Sequence, residues 1–428
     1  MNRDNILSCF GIEGKYLSSY DFIEDHELKQ INIFIEFLRH ETHCPYCQSK
    51  NIKVKGYYTT TINGSIIKNY TTLLIPKIRR YKCSDCGKTF KENSKISTFK
   101  SQISNKAIES IKMDLCKKLS YAFIAKEYGV SRNTIINIFD TMKEFPRGKL
   151  PKVMCVDEFG FSKDVRRKKR YPFVISDPFE SSIIDVVEYR TKDVLSEYFE
   201  KIPRFERNFV DFYITDMHET YRIIKKKYFP KAVHIIDHFH VAQLFTSKLQ
   251  SMRIRLMKEY KNEEKLKEYK CLKTNWKYFL MRKHRALEIF TNEDGVVEDI
   301  YFTIQDMFRH YEDFNYLYNA REEFFDTMVK MKELEETKKS MDFFINKFLS
   351  STIIEVQEIG KSLSNRYDEI VNAYAKNEYG FCLTNAVAES NNNYIKELIH
   401  ISHGFTNFTR FRKRILYINA SRNHYKKG

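Results

Sequence analysis

Four of the nine cysteines fall into two pairs, Cys44-Pro-Tyr-Cys47 and Cys83-Ser-Asp-Cys86, with 35 residues between the pairs. A C-x-x-C turn aims two thiolates at one point, and two such turns complete a tetrahedron around Zn²⁺. In a reducing compartment this pattern points to a structural zinc site rather than to disulfides. His40 and His43 flank the first pair and could replace a ligand, although four thiolates suffice. Cys9, Cys116, Cys155, Cys271 and Cys382 lie in or near apolar stretches and read as small buried hydrophobes.

A second chemistry is carried by acidic residues. Cutting a phosphodiester needs an activated oxygen nucleophile and a stabilised leaving oxygen, and a pair of hard divalent cations supplies both. Such cations are held by a few carboxylates, with water and phosphate oxygens completing the shell. About three acidic side chains must therefore converge from rigid elements. Asp157 lies in an apolar strand-like run, with Glu158 beside it on the opposite face as a competitor. Asp216 ends a later run and competes with Asp211 and Asp237. A third carboxylate from a late helix is best supplied by Glu389, against Glu378 and Glu397.

The elements that position these residues follow from hydrophobic period and turn chemistry. Alternation of apolar and polar residues from about 20 to 40 suits a strand leading into the cysteine module, and 52–58 and 73–81 flank it as further strands. Asn63-Gly64 reads as the turn of a hairpin within 59–70. A helical stretch covers about 103–145. Within 120–139 a short helix ending at Ile124 and Ala125, a turn at Gly129, a plug at Val130 and a capping Ser131 have the logic of a helix-turn-helix. Arg132, Asn133 and Thr134 then open the second helix, where base edges and phosphates are touched. Pro146 and Pro151 bracket a basic link. Strands are expected at 153–161, 171–176, 182–189, 209–215 and 232–236, with helices at 193–199 and 218–227 and a long helix from His240. The order βββαβαβα is that of an RNase H-like sheet. From about 245 to 375 the chain reads as helical, charged and nearly free of Gly and Pro, an insertion before the sheet domain resumes near Glu389. The tail, 405–424, carries Arg410, Arg412, Lys413, Arg414 and Arg422 among Phe408, Phe411 and Tyr417.

The fold expected is thus α/β. A zinc-binding β module (1–98) and a helix-turn-helix (99–148) precede an RNase H-like domain (149–245 and 376–428) interrupted by an all-helical insertion (246–375). The composition agrees. The chain has 428 residues, 42% of them apolar, with 13 Gly and 8 Pro, which excludes a disordered or collagen-like chain. No apolar run is long enough to span a membrane, and the N-terminus lacks a basic-then-apolar signal, so a cytoplasmic location is expected. A formal net charge of +17 favours a polyanionic partner through counterion release. Part of the Lys excess also fits the Ile-, Asn- and Tyr-rich composition of an A+T-rich genome.

Several motifs, in order, resemble the bacterial insertion-sequence transposases of the ISL3 family. After the C-P-x-C and C-x-x-C pairs and the helix-turn-helix come Val156-Asp157-Glu158-Phe159, Thr215-Asp216-Met217 with Tyr221, and Phe229-Pro230-Lys231-Ala232 leading to Asp237-His238-Phe239-His240. Then follow Thr384-Asn385, Glu389, Asn392-Asn393 and Ile395-Lys396, ahead of Gly404-Phe405 and Asn407-Phe408. One departure stands out: Glu389-Ser390-Asn391-Asn392 replaces the family's usual Glu-Gly-Leu-Asn. The resemblance implies a DDE triad of Asp157, Asp216 and Glu389 holding Mg²⁺ or Mn²⁺. It selects Asp216 over Asp211 and Glu389 over Glu397. Asp237 and His240 are expected to support the metal ligands or to position DNA. Asn392 and Lys396, beyond Glu389 on its helix, and Arg410, Arg412 and Arg414 of the tail are expected to hold phosphate. The function implied is that of a transposase that binds an element's terminal inverted repeats and cuts and transfers strands. Double-stranded DNA would be its partner, it would work as a homodimer or larger synaptic assembly, and it would associate with the bacterial nucleoid. The alternative is a transposase-derived DNA-binding regulator without catalysis.

Overall fold

The structure is a computed structural model that describes residues 7, 10–66, 69–93, 96–97, 102–160, 171–260, 266–291, 295 and 297–427. Of the strand expected at 153–161, the final residue lies outside the described residues, as do two residues of the hairpin expected within 59–70. The chain divides into two compact units, Met1–Arg147 with Tyr394–Gly428, and Gly148–Asn393.

The first unit opens on an antiparallel hairpin of β1 (Leu17–Asp25) and β2 (Gln30–Phe37). Three short or medium strands follow, β3 (Ile52–Thr59), β4 (Ile62–Asn63) and β6 (Thr89–Lys91), all antiparallel to the long β5 (Thr71–Cys83). The sheet order is β1-β2-β5-β3, with β4 and β6 also on β5, and β2 pairs with β5 in parallel. Alternation explains which residues face inward: Ile33, Ile35, Phe37 and Leu74 are buried together with Ile62. Asn63 therefore pairs with Leu73 in β4 rather than forming a hairpin turn.

Three helices come next: α1 (Asn105–Leu115), α2 (Tyr121–Glu127) and α3 (Arg132–Thr141). Each starts on a serine. Ser104, Ser120 and Ser131 accept hydrogen bonds from the amides of Ala107, Phe123 and Thr134, satisfying a donor that the first turn leaves free. Gly129, at φ +62°, makes the tight link from α2 to α3. Ile111, Leu115, Ile124, Ile135 and Phe139 form the core of the trio. The C-terminal helix, Phe408–Lys427, packs on it through Tyr417, whose ring meets Phe139 edge-on at 6.3 Å.

The second unit is built on a five-stranded sheet of order β11-β10-β7-β8-β9. Here β7 is Val153–Glu158, β8 Phe173–Asp177, β9 Ser182–Val187, β10 Phe212–Thr215 and β11 Val233–Ile236. β7, β8 and β9 form an antiparallel meander, and β10 and β11 join β7 in parallel. Helices α4 (Lys192–Glu200), α5 (Arg204–Arg207) and α6 (Glu219–Tyr228) connect the later strands, and α7 (His238–Glu259) leaves the end of β11. The strands are buried on both faces. Met154, Val156, Phe173 and Tyr213 pack with α4 and α6 on one side. Val153, Cys155, Ile214 and Ile235 pack on the other, with α7 and a run of helices from Leu266 to Tyr374. This packing is aromatic-rich: Phe245 of α7 and Phe324, Phe344 and Phe348 of the run are all essentially inaccessible. The chain then returns to the sheet at Asn385 and enters the helix Ala386–Ile401.

Candidate active site and zinc centre

Strand register places the aspartates. Ile214 pairs with Cys155, so two residues further along the parallel strands Asp216 stands beside Asp157. Thr215 pairs with Ile236, so Asp216 also stands beside Asp237. The Asp237 amide continues that ladder, donating to the Thr215 carbonyl at 3.0 Å. Cys155, Ile214 and Ile235, two residues back on each strand, share one core, so the three aspartates point to that same side.

Asp157 is the most constrained of them. Its Oδ1 accepts from the Glu158 amide at 2.8 Å, and its Oδ2 accepts from the Asn392 side-chain amide at 2.8 Å. Burial raises its pKa to about 6; the Glu158 amide opposes this, the charges of Glu158 and Asp216 add to it, and His240 counters them. Asp216 is half-buried and accepts from the His218 amide at 2.8 Å, which turns the chain into α6. Glu158 faces the other way, where its carboxylate is held by the Arg190 guanidinium and the Tyr221 hydroxyl. That partnership occupies both oxygens of the Glu158 carboxylate. Asp211 and Glu378 are exposed, and Glu397 is exposed and paired with Lys118.

The helix Ala386–Ile401 is fastened to the same end of β7. Asn385 donates to the Val156 carbonyl at 3.2 Å, and Asn392 reaches the Glu158 carbonyl at 3.3 Å besides Asp157. Residues 385, 389 and 392 fall within about 60° of one another around a helix axis. Glu389 therefore shares a helix stripe with Asn385 and Asn392, and it is exposed. Asn391, at the place where the motif departs, is buried and donates to Ser176 Oγ on β8 at 3.1 Å, so the added polar group is satisfied. The acidic side chains do not close on one point. Among the described residues, the one group of three or more Cys, His or carboxylate ligand atoms all within 4.8 Å of one another is a set of cysteines.

Those cysteines are Cys44, Cys47, Cys83 and Cys86. Their two turns are built alike. The Gln48 and Gly87 amides donate to the Cys44 and Cys83 carbonyls at 2.9 and 3.1 Å, with Gln48 and Gly87 both at positive φ. The pairing of β3 with β5, Ile52 opposite Cys83, brings the turns together. Sulfur–sulfur distances of 3.7 Å (Cys44 to Cys86) and 3.6 Å (Cys47 to Cys83) match the edge of about 3.8 Å expected for tetrahedral Zn–S bonds of about 2.3 Å. The amides of Cys86 and Asp85 help to lower the Cys83 thiol to about 7. For Cys47 the Ser49 amide favours the thiolate, but burial and the neighbouring sulfurs outweigh it and raise the thiol to about 12. A dication relieves that repulsion. His40 and His43 take no part: their rings bond the Asn93 carbonyl and Thr42 Oγ1.

Residues 154–415 match the family model of the DDE-type ISL3 transposases, described as transposase, and residues 40–86 match the zinc-finger of transposase IS204/IS1001/IS1096/IS1165. This chain belongs to the ISL3 family of insertion-sequence transposases. No curated protein matches it. In this ISL3 transposase the four cysteines form a structural zinc site. Among the described residues, no helix is long and apolar enough to cross a membrane.

The residues expected to touch DNA divide into two groups in this transposase. Arg132 and Asn133 are exposed at the start of α3, with Thr134 half-buried and its hydroxyl 2.9 Å from Ser131 Oγ. Lys396 is exposed and Arg412 half-buried. Arg410 makes a two-pronged ion pair with Asp140, at 2.8 and 2.6 Å. Two assignments are corrected. Asn392 is 3% exposed and spends its amide on Asp157, so it orients a carboxylate instead of holding phosphate. Arg414 is 1% exposed, and its guanidinium donates to the Leu115, Lys117 and Leu119 carbonyls, tying off the end of α1. It has no free edge for phosphate. Arg190 escaped the sequence reading, as did the hydrogen-bonding roles of Asn385 and Asn391, which it had named only as motif residues. The i, i+4, i+7 spacing of Asn385, Glu389 and Asn392 is the signal that exposes the role of Asn385.

Proposed function

We propose that this transposase binds the terminal inverted repeats of its element and performs metal-dependent strand cleavage and strand transfer. The observation that carries this reading is the parallel register setting Asp157 beside Asp216, with Asn392, on the helix that bears Glu389, hydrogen-bonded to Asp157. The sheet order, with its antiparallel meander and two parallel strands, supports an RNase H-like catalytic domain. The boundaries inferred from sequence serve as working domains: 1–98, 99–148, 149–245, 246–375 and 376–428.

Asp157, Asp216 and Glu389 would hold Mg²⁺, or Mn²⁺, in the bacterial cytoplasm. The donor set fits such a cation: hard oxygens only, one carboxylate with a raised pKa beside other negative charges, and buried Oδ1 atoms of Asn385 and Asn392 without a partner. The cation supplies charge stabilisation at the attacking and leaving oxygens. The chain's own residues do the rest. Asn392 holds Asp157 in one orientation and favours its ionised form. Arg190 and Tyr221 keep Glu158 away from the cluster. Water and then a DNA 3′-hydroxyl are taken as successive nucleophiles, so no covalent protein intermediate is needed.

The serine-capped α2 and α3, with Gly129 between them, support a helix-turn-helix that presents Arg132, Asn133 and Thr134 to the duplex. Lys396, Arg410 and Arg412 would add backbone contacts. Concerted cutting of two ends calls for a homodimer or a larger synaptic assembly.

The test is a nicking assay on plasmid carrying the element's ends, using zinc-loaded protein with Mg²⁺ or Mn²⁺. The parent should nick at the ends, and Asp216→Ala should bind the same DNA without nicking it. Undiminished nicking by Asp216→Ala overturns the residue assignment. End-specific binding by a parent that never nicks would leave a DNA-binding regulator.

A further inference from the structure

Asp237 ends β11 and stands at the N-cap of α7, yet its side chain accepts no hydrogen bond from that helix. An aspartate in this position ordinarily accepts one from the second or third amide. Its residue is 4% exposed, and among the described residues no hydrogen bond or ion pair reaches its carboxylate. A charge left buried and unpaired is costly, so such groups are normally matched by a counter-charge or a metal.

Its neighbours say which. Strand register sets Asp237 beside Asp216, and Asp216 beside Asp157, across β11, β10 and β7. An independent feature marks the same place as a ligand site. Asn392, 3% exposed, gives its amide nitrogen to Asp157, and its buried Oδ1 has no partner among the described residues. His240 lies three residues beyond Asp237, in the first turn of α7.

We propose that Asp237 is a direct ligand of the catalytic divalent cation, completing a row of three strand-borne carboxylates that Glu389 closes from its helix. This inference rests on the strand-cleavage reading and replaces the supporting role expected for Asp237. Mg²⁺ and Mn²⁺ accept several carboxylate oxygens, and binding one would compensate the Asp237 charge while drawing the row together. His240 keeps a positioning role beside it.

The experiment uses zinc-loaded full-length protein titrated with Mn²⁺ and followed by electron paramagnetic resonance, beside thermal unfolding without Mn²⁺. Asp237→Asn should lose roughly tenfold or more in Mn²⁺ affinity. It should also unfold at a higher temperature than the parent in the metal-free state, because the unpaired charge is gone. Asp237→Cys should bind one Cd²⁺ beyond the four-cysteine site and show a further thiolate-to-cadmium absorption band. Parent-like Mn²⁺ affinity with a lowered unfolding temperature would show a scaffold role and overturn the proposal, as would absence of the added band. Asp157→Asn, run in parallel, separates the two readings. If it loses Mn²⁺ while Asp237→Asn keeps it, only the Asp237 assignment falls. If the parent itself binds no Mn²⁺ outside the zinc site, the strand-cleavage reading falls with it.

Discussion

The side-chain amide of Asn392 donates a 2.8 Å hydrogen bond to Oδ2 of Asp157, joining residues 235 positions apart in the chain. A donor to a carboxylate favours its ionised form. Asn392→Leu removes the donor, so the Asp157 pKa should rise above its value of about 6. Less of the carboxylate is then ionised near neutrality. The acid limb of the nicking profile should move to higher pH, with activity partly restored in alkaline buffer. Rates measured from about pH 5.5 to 9 check this; an unshifted limb would remove Asn392 from the site.

Asp157 also makes stability depend on pH. Its folded pKa of about 6 lies above the ordinary 3.8. Between those values the folded protein keeps a proton that the unfolded chain has released. Stability of the metal-free protein therefore falls as pH rises from about 4 to about 6, by at most about 3 kcal/mol from this group. Asp157→Asn should remove that slope and raise the metal-free melting temperature at neutral pH. Melts at both ends of the window, with and without Mn²⁺, provide the comparison.

The zinc centre has little else to hold it. Among the described residues its core cluster comprises Cys44, Ile52, Tyr81, Cys83 and Phe90, with Tyr81 stacked on Phe90 at 5.4 Å. A core this small depends on its metal. Cys83→Ser should abolish bound zinc, measured by chelator release after denaturation, and lower end-DNA binding, while Mn²⁺ affinity at the acidic site is retained. Loss of both metals together would contradict separate sites.

Two arginines expected to share a role should behave oppositely. Arg414→Met leaves three backbone carbonyls without their donor and should destabilise the protein by roughly 3 kcal/mol or more. Arg132→Ala, at an exposed position, should leave the melting temperature unchanged. It should weaken end-DNA binding by about 1–3 kcal/mol if Arg132 reads a base, or lower the salt slope by about 1 if it meets a phosphate. Melting curves paired with binding isotherms at several salt concentrations separate these outcomes.

What the sequence by itself determined was local. Two C-x-x-C turns name their own ligands, because each turn is a few residues of backbone aimed at one point. Ser104, Ser120 and Ser131 announce helix starts because a cap acts within three residues. An apolar run carrying Asp157 and two more ending at Asp216 and Asp237 announce strands that bear acids. The tertiary structure decided that Asp237 stands in one row with Asp216 and Asp157, across β11, β10 and β7. It decided that Asp157 faces the site while Glu158 is held by Arg190 on the far face. It also decided that Asn392 and Arg414, polar residues whose helical spacing reads as surface, are buried against a carboxylate and three carbonyls. Spacing along a chain specifies which side of an element a residue occupies. What packs against that side is set by contacts between segments hundreds of residues apart.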